Sequence, residues 1–454
     1  MRSHTVSLTE GSITKSIIIF SIPILISNLF QQLYNTVDTM IVGKYAGSIA
    51  LAAVGSSSAL INLLIDFFLG ISVGAGILYA MHYGAGDYKG LKKLIDSALL
   101  ISAGVSVVIT AFGIGFSDRL LRIMNVPGEV YQPSKDYFTI YLIGTLPTLL
   151  YNVGAGLVRA EGDSTRPLMY LIIGGITNFI VDTVLVAGLG MGVKGAAWAT
   201  VASQTVTAIL VLNRLSRLNP EYAWRPLKMR PEKLAMWDIT RISVPCGLSH
   251  SMFNIANLII QTKINSFGAV AMAGAAAYSK IDAFVYMPMS ALALALSTYV
   301  GQNIGAGLYG RIRKGIRVTV ILSVVATVVL SAVIIIAFDP IVHLFTDDAG
   351  AVECARVMMW HLIPFVWGYA IGDVIPGAIR GAGQATQVTI ILAVTICVCR
   401  LVWLRVMLPV YNDIRIVFIA YPISWWLCSI VMLWYYFRRS TVFKSIRNSE
   451  KLPA

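Results

Sequence analysis

The side chains best able to do chemistry in this sequence are ionisable groups set in apolar surroundings. The stretch from Ser21 to Gly43, SIPILISNLFQQLYNTVDTMIVG, reads as a helix with a proline near its start and one carboxylate, Asp38, deep in apolar sequence. An ionised side chain at membrane depth costs at least about 2.5 to 3.5 kcal/mol on insertion scales, so Asp38 is expected to be functional, as half of a cation site. Asp66, within INLLIDFFLG, is a further acid of this kind. Lys280, Asp282, Asp373, Arg400 and Arg405 also fall inside apolar stretches. Either they form internal ion pairs, for instance Asp373 with Arg400, or Asp282 and Asp373 meet a cationic substrate.

The elements that must hold such groups follow from composition. The 454 residues are 57% hydrophobic and 13% charged, with mean hydropathy +0.75, whereas soluble domains carry roughly 25% charged residues. A hydrocarbon layer about 30 Å thick needs about 20 apolar residues per helix, and only helices or closed barrels satisfy their backbones there. The apolar runs are long and continuous rather than alternating, which excludes a barrel. The net charge of +13 could suggest nucleic acid. Lys and Arg collect in alternate loops instead, which excludes that partner and predicts both termini in the cytoplasm. The first apolar run lacks a small-residue cleavage site followed by soluble sequence, so the N-terminus is expected to be retained.

Hydropathy predicts twelve spans, near 15–43, 49–80, 94–117, 136–158, 168–190, 193–213, 236–262, 268–300, 316–338, 357–379, 387–410 and 414–437. The expected layout is an N-terminal six-helix lobe over 1–213, a cytoplasmic linker over 214–234 containing Pro220, Pro226 and Pro231, a C-terminal six-helix lobe over 235–438 and a tail over 439–454.

The two halves repeat. Gly47 meets Gly268, Gly84-Ala85-Gly86 meets Gly305-Ala306-Gly307, Tyr88 meets Tyr309, Lys93 meets Lys314, Arg159 meets Arg380 and Gly162 meets Gly383, all in one register. With one residue of slip, Pro23 meets Pro245 and Asn35 meets Asn257. Six spans per repeat insert the same way up, so the fold expected is an all-α integral membrane protein of two six-helix bundles related by a pseudo-twofold axis along the membrane normal. Such repeats are the usual build of a secondary transporter.

Several motifs in order carry a resemblance. The sequence contains SIPILISNLFQQLYNTVDTMIVGKYAG continuing into IALAAVG, then GLVRAEGDSTRP with a second copy GAIRGAGQATQV, NFIVDTVLVAGLGMGVKGAAWATVASQ, and YVGQNIGAG in the second half. Over nearly its whole length the chain resembles the multidrug and toxic compound extrusion (MATE) transporters, most closely their bacterial DinF-like branch. The resemblance implies an antiporter that expels organic, often cationic, compounds in exchange for Na+ or H+. It also implies a cation site at Asp38, Asn178, Asp182 and Thr200, the positions that match the family's N-lobe ligands.

Asn178 and Asp182, four apart, share one face of a helix. Two carboxylates, an amide oxygen and a hydroxyl are hard ligands that suit Na+ or can share a proton, since two close carboxylates do not both stay ionised cheaply in a low dielectric. By the repeat register Asn178 falls on Cys399 and Asp182 on Trp403, so the quartet has no second copy.

Candidate substrate-cavity residues are Tyr34, Phe68, Asn257, Asp282, Met287 and Asp373, where aromatic faces attract organic cations and Met repacks around varied shapes. The partners expected are a small organic substrate and membrane lipids, the chain acting as a monomer with Na+ or H+ as coupling ion and no other cofactor. The Gly190–Gly195 segment fits a nucleotide-binding glycine pattern but lies between two spans with no strand before it, and no phosphate-binding loop or metal-spaced histidines occur. Two rivals are a lipid-linked-precursor flippase, for which a cationic cavity is expected, and a membrane receptor or intramembrane enzyme.

Overall fold

The computed structural model describes residues 5–124 and 126–449, Ala59 through its backbone alone. Residues 1–4 and 450–454, at the ends of the expected N-lobe and tail, lie outside the described residues. Among the described residues the regular structure is helical throughout. Its long helices are α1 (Ile13–Ile41), α2 (Gly47–Gly84), α3 (Tyr88–Ile123), α4 (Gly128–Ile143), α5 (Thr145–Ala160), α6 (Thr165–Asp182), α7 (Gly192–Ser216), α8 (Lys233–Asn265), α9 (Ala269–Gly305) and α10 (Tyr309–Ile336). A short α11 (Phe338–Val342) is followed by α12 (Ala349–Leu362), α13 (Val366–Gly381), α14 (Ala385–Leu392), α15 (Cys399–Tyr411), α16 (Ile414–Arg438) and α17 (Thr441–Ser449).

Among the described residues ten helices or joined helices are long and apolar enough to cross a bilayer, and the α4–α5 pair, bent by 49°, makes an eleventh passage. The twelfth is α8. Its 33 residues are long enough, but Ser243, Ser249, His250, Ser251, Asn254, Asn257 and Gln261 dilute its apolar character. With α8 counted by its length, twelve passages stand among the described residues where twelve were expected, the fourth broken beside Gly144. Outward-facing Val107, Val108 and Phe112 on α3 and Val325, Val328 and Val329 on α10 are exposed, as side chains facing lipid should be.

The backbone packs into two compact units, and their boundary differs from the expected lobes. The first unit holds Val6 with Ile26–Gly247; the second holds Ser7–Leu25 with the chain from Leu248 on. The chain thus changes unit inside α1 and inside α8, in each case two residues beyond a proline, Pro23 or Pro245. Local packing gives the reason. In the first unit a Cβ on Gly70 would lie 2.2 Å from Gly247 Cα and one on Gly74 2.4 Å from Ser243 Cα, so α2 admits the first half of α8 only because it carries glycine there. In the second unit Leu8 is fully buried. Asn303 donates to the Leu8 carbonyl at 3.1 Å, and Arg311 donates to the carbonyls of Glu10 and Gly11 at 3.0 Å each.

The repeat read from sequence recurs in the backbone. Gly162 and Gly383 both adopt positive φ, +95° and +79°, as do Gly86 and Gly307 at +67° and +71°. A close helix contact is also duplicated: a Cβ on Gly156 would fall 2.5 Å from Ser72 Oγ, and one on Gly377 2.6 Å from the Ala293 carbonyl, both pairs matching in register.

The linker, which runs from the end of α7 to Lys233, is tied to the first unit. The Arg230 and Glu232 amides donate to Asp96 Oδ2 and Ser97 Oγ on α3 at 2.9 and 3.1 Å. Lys93 pairs with Glu232 at 2.8 Å.

Candidate functional site

In the first unit α1 approaches α6 at a glycine. A Cβ on Gly175 would come within 2.6 Å of Phe30 Cε1 and 3.8 Å of Tyr34 Cδ2. A larger residue there would push the helices apart. One turn further along, α6 presents Asn178, 2% exposed, and then Asp182, fully buried. The 3.6-residue period sets both on one face.

Asp38 on α1 reaches this face, and its carboxyl lies within hydrogen-bonding reach of the Asp182 carboxyl. Neither carboxylate can donate. Asp38 Oδ1 and both oxygens of Asp182 are sealed from solvent and receive no hydrogen bond from the protein, and Asn178 Nδ2 is also without a partner. Two facing carboxylates without a donor are held together cheaply only when a proton is shared or a cation lies between them. The donor set fits that role: hard oxygens, an amide and no thiolate. Immediately after Asp182 the helix widens into a π-helical segment, Thr183–Gly188, a feature often met at functional sites.

A tyrosine stands beside the pair. Tyr34 is placed beside Asp38 and within reach of the Ser203 hydroxyl. Tyr137 and Tyr141 are buried in the apolar cluster that also holds Ile41 and Val42, a turn beyond Asp38. Ser203 donates to the Thr200 carbonyl at 2.8 Å, so it can accept from Tyr34. Thr200 itself donates to the Ala196 carbonyl at 3.1 Å and is left with only lone pairs to offer a ligand. Asp38, Asp182 and Tyr34 are therefore brought together, with Asn178 on the same helix face. Tyr137, Tyr141 and Ser203 escaped sequence reading, since a buried Tyr or Ser on a membrane helix looks like ordinary packing.

The second unit contains a cavity of about 370 Å³ lined by Asn257, Asp282, Arg400 and a set of aromatic rings: Phe253, Tyr286, Tyr369, Tyr421 and Trp425. Here the expected Asp373–Arg400 ion pair is replaced. Arg400, 2% exposed, donates from Nε to Ser424 Oγ at 2.9 Å and from Nη1 to Asn257 Oδ1 at 2.9 Å. Its guanidinium lies 4.5 Å from the Tyr421 ring centroid. Neutral oxygens and an aromatic face thus take the place of the carboxylate. Asp282 accepts from the Tyr278 hydroxyl at 3.2 Å.

Of the six residues expected to line a substrate cavity, Asn257 and Asp282 share this one, and Tyr34 stands at the acid pair. Phe68 is fully buried in the apolar core of the first unit. Met287 and Asp373 are half-buried elsewhere in the second, and Lys280 and Arg405 are exposed.

Comparison with known proteins matches the MatE family model to residues 23–184 and again to 245–404, one copy opening on each of the two boundary prolines. The chain is 29% identical over 395 residues, 84% of each chain, to the probable multidrug resistance protein YoeA of Bacillus subtilis strain 168. It is 27% identical over 397 residues, 86% of this chain and 84% of the relative, to the probable multidrug resistance protein NorM of Thermotoga maritima. Among solved structures, MATE in the bent conformation superposes with TM-score 0.90 at 23% identity, covering 98% of this chain and 99% of the other. A MOP-superfamily transporter from Pyrococcus furiosus, described as having a binding pocket of reverse polarity, superposes with TM-score 0.89 at 24% identity, covering 98% of each. Two matched copies spanning most of the sequence place the chain in the MatE family, as a multi-pass membrane transporter and not an enzyme.

Proposed function

We propose that this chain is an antiporter that exports small organic compounds, cationic ones among them, from the bacterial cytoplasm in exchange for Na+ or H+, acting as a monomer in the inner membrane with both termini cytoplasmic. The observation that carries the reading is the facing pair Asp38 and Asp182, whose buried oxygens receive no donor from the protein. A proton or cation arriving there supplies the missing positive charge. Asn178 and Thr200 add an amide and a hydroxyl oxygen to the set. Once the charge is neutralised, the lobe no longer attracts a cationic substrate, and a compound held by the ionised site is released. The names of the relatives, multidrug resistance and multidrug export proteins, support the same class of cargo.

The test is efflux of ethidium from cells lacking their own pumps, comparing wild type with Asp38→Asn at matched expression under a Na+ gradient and then under a proton gradient alone. Export in the variant is expected to fall to the background of empty cells, and the gradient that sustains the wild type names the ion. Gradient-driven export by Asp38→Asn at the wild-type rate would remove Asp38 from the coupling mechanism.

A further inference from the structure

The cavity of the second unit holds one cation and one anion that the protein does not pair with each other or with any other charge. Arg400 is almost wholly buried and satisfied by neutral partners, Ser424 and Asn257. Of its five N–H donors two are committed to these side chains. Asp282, 8% exposed, is held by a tyrosine hydroxyl. Among the described residues neither takes part in a salt bridge, yet both line the same cavity with five aromatic rings. A buried charge left without a counter-charge is costly unless a ligand supplies one.

The volume, about 370 Å³, suits a small organic molecule. Its lining carries two charged groups of opposite sign. Arg400 presents a forked donor set that matches a carboxylate, sulfonate or phosphate. Asp282 and the rings of Tyr286, Tyr369 and Trp425, which line the same cavity, offer an ammonium group a carboxylate and aromatic faces. The rings lining the same cavity receive the apolar body.

We propose that this cavity is a binding site for small zwitterions, the anionic group on Arg400 and the ammonium among the tyrosine rings and Asp282. The cargo of the exporter would then include zwitterionic as well as cationic compounds. The site is lined by residues of the second unit alone, and its occupancy is read on the purified chain without a gradient, so binding and gradient-driven export can fail separately. Either a soluble zwitterion or a zwitterionic lipid headgroup presents this chemistry.

Three probes of matched shape test it by calorimetric titration of the purified chain in phosphatidylglycerol nanodiscs: the sulfobetaine 3-(benzyldimethylammonio)propanesulfonate, the cation benzyltrimethylammonium and the anion 3-phenylpropanesulfonate. The sulfobetaine is expected to bind the wild type at least about tenfold tighter than either singly charged probe. Arg400→Gln should bring its affinity down to that of the cation, and Asp282→Asn down to that of the anion. Equal binding of all three probes by the wild type, or an unchanged sulfobetaine affinity in a folded Arg400→Gln, overturns the proposal. Because a buried arginine variant can misfold, Ser279→Trp serves as a second variant, filling the cavity from its wall. It should abolish sulfobetaine binding with the melting temperature retained; retained binding counts against the site. Repeating the titration with phosphatidylethanolamine in the nanodisc separates the two ligand sources: a weakened apparent affinity assigns the site to the headgroup, an unchanged one to soluble zwitterions.

Discussion

The two repeats set different charges on corresponding helices but not at corresponding positions, for in the repeat register Asp182 matches Trp403 and Arg400 matches Phe179. In the first unit, α1 and α6 bring together Asp38 and Asp182. In the second, α8 and α15, their counterparts in the repeat, bring together Asn257 and Arg400 at 2.9 Å. The surroundings correspond residue by residue in the register set by the Gly-Ala-Gly triplets. Buried Tyr137 and Tyr141 of the first unit become Met358 and Leu362 on the wall of the second cavity. Thr200 becomes Tyr421, whose ring lies under Arg400. What has been kept is the scaffold of prolines and glycines that shapes each half, and what has diverged is the polarity of the pocket that the scaffold encloses. One fold thus offers an anionic site suited to a coupling cation and a second site that contains a base.

The largest effect that can break this comparison comes from the acid pair. Asp182→Asn is expected to reduce gradient-driven ethidium efflux in proteoliposomes to background. Combining it with Asp38→Asn should cost nothing further, because residues that act as a unit are non-additive. A double variant measurably worse than either single one, from a non-zero baseline, would mean that the carboxylates work independently.

Much of the fold was legible from sequence because long apolar runs with polar breaks have few alternatives in a bilayer. The repeat was legible because turn glycines such as Gly162 and Gly383 hold a backbone conformation that other residues rarely adopt. The exchange of helix ends between the units was not, since Gly70 and Gly74 look like ordinary membrane-helix glycines until Gly247 and Ser243 are seen against them. The face shared by Asn178 and Asp182 followed from their spacing, and Asp38 declared itself by its cost in lipid. Arg400 was visible as a charge, but its partners were misassigned to Asp373. Sequence shows the sign of a group, whereas choosing between a carboxylate and the neutral oxygens of Ser424 and Asn257 requires the helices' rotation about their axes.

A smaller effect is expected at Gly175, where the halves also differ. Its counterpart is Ile396, 1% exposed. The close approach of Phe30 to α6 therefore belongs to the acidic unit alone. Gly175→Leu should separate α1 from α6 and lower efflux by roughly tenfold, at an overpacking cost of about 1 to 3 kcal/mol in stability. Ile396→Val, by contrast, should cost about 0.5 to 1.5 kcal/mol of stability with the ion dependence of efflux unchanged. If Gly175→Leu kept wild-type efflux, the proximity of Asp38 to Asp182 would not be what couples transport to the ion.

The smallest effect sharpens the comparison at a residue both units retain. Ser203 and Ser424 match in register, and each donates to the carbonyl three residues back, Thr200 or Tyr421, at 2.8 Å. Each hydroxyl oxygen then serves a different neighbour: Ser203 is placed to accept from Tyr34, while Ser424 accepts from Arg400 Nε at 2.9 Å. Removing one such hydrogen bond is worth about 1 kcal/mol, or roughly a fivefold change. Ser203→Ala is therefore expected to raise the ion concentration that half-saturates ethidium efflux about fivefold and to leave sulfobetaine affinity as it was. Ser424→Ala should do the reverse, weakening the sulfobetaine about fivefold with the ion requirement unmoved, because its oxygen supports the base and not the acids. If either alanine shifted both quantities together, the two pockets would be one coupled site. Opposite polarity would then be a division of labour within a single binding event, with the serines as its shared support.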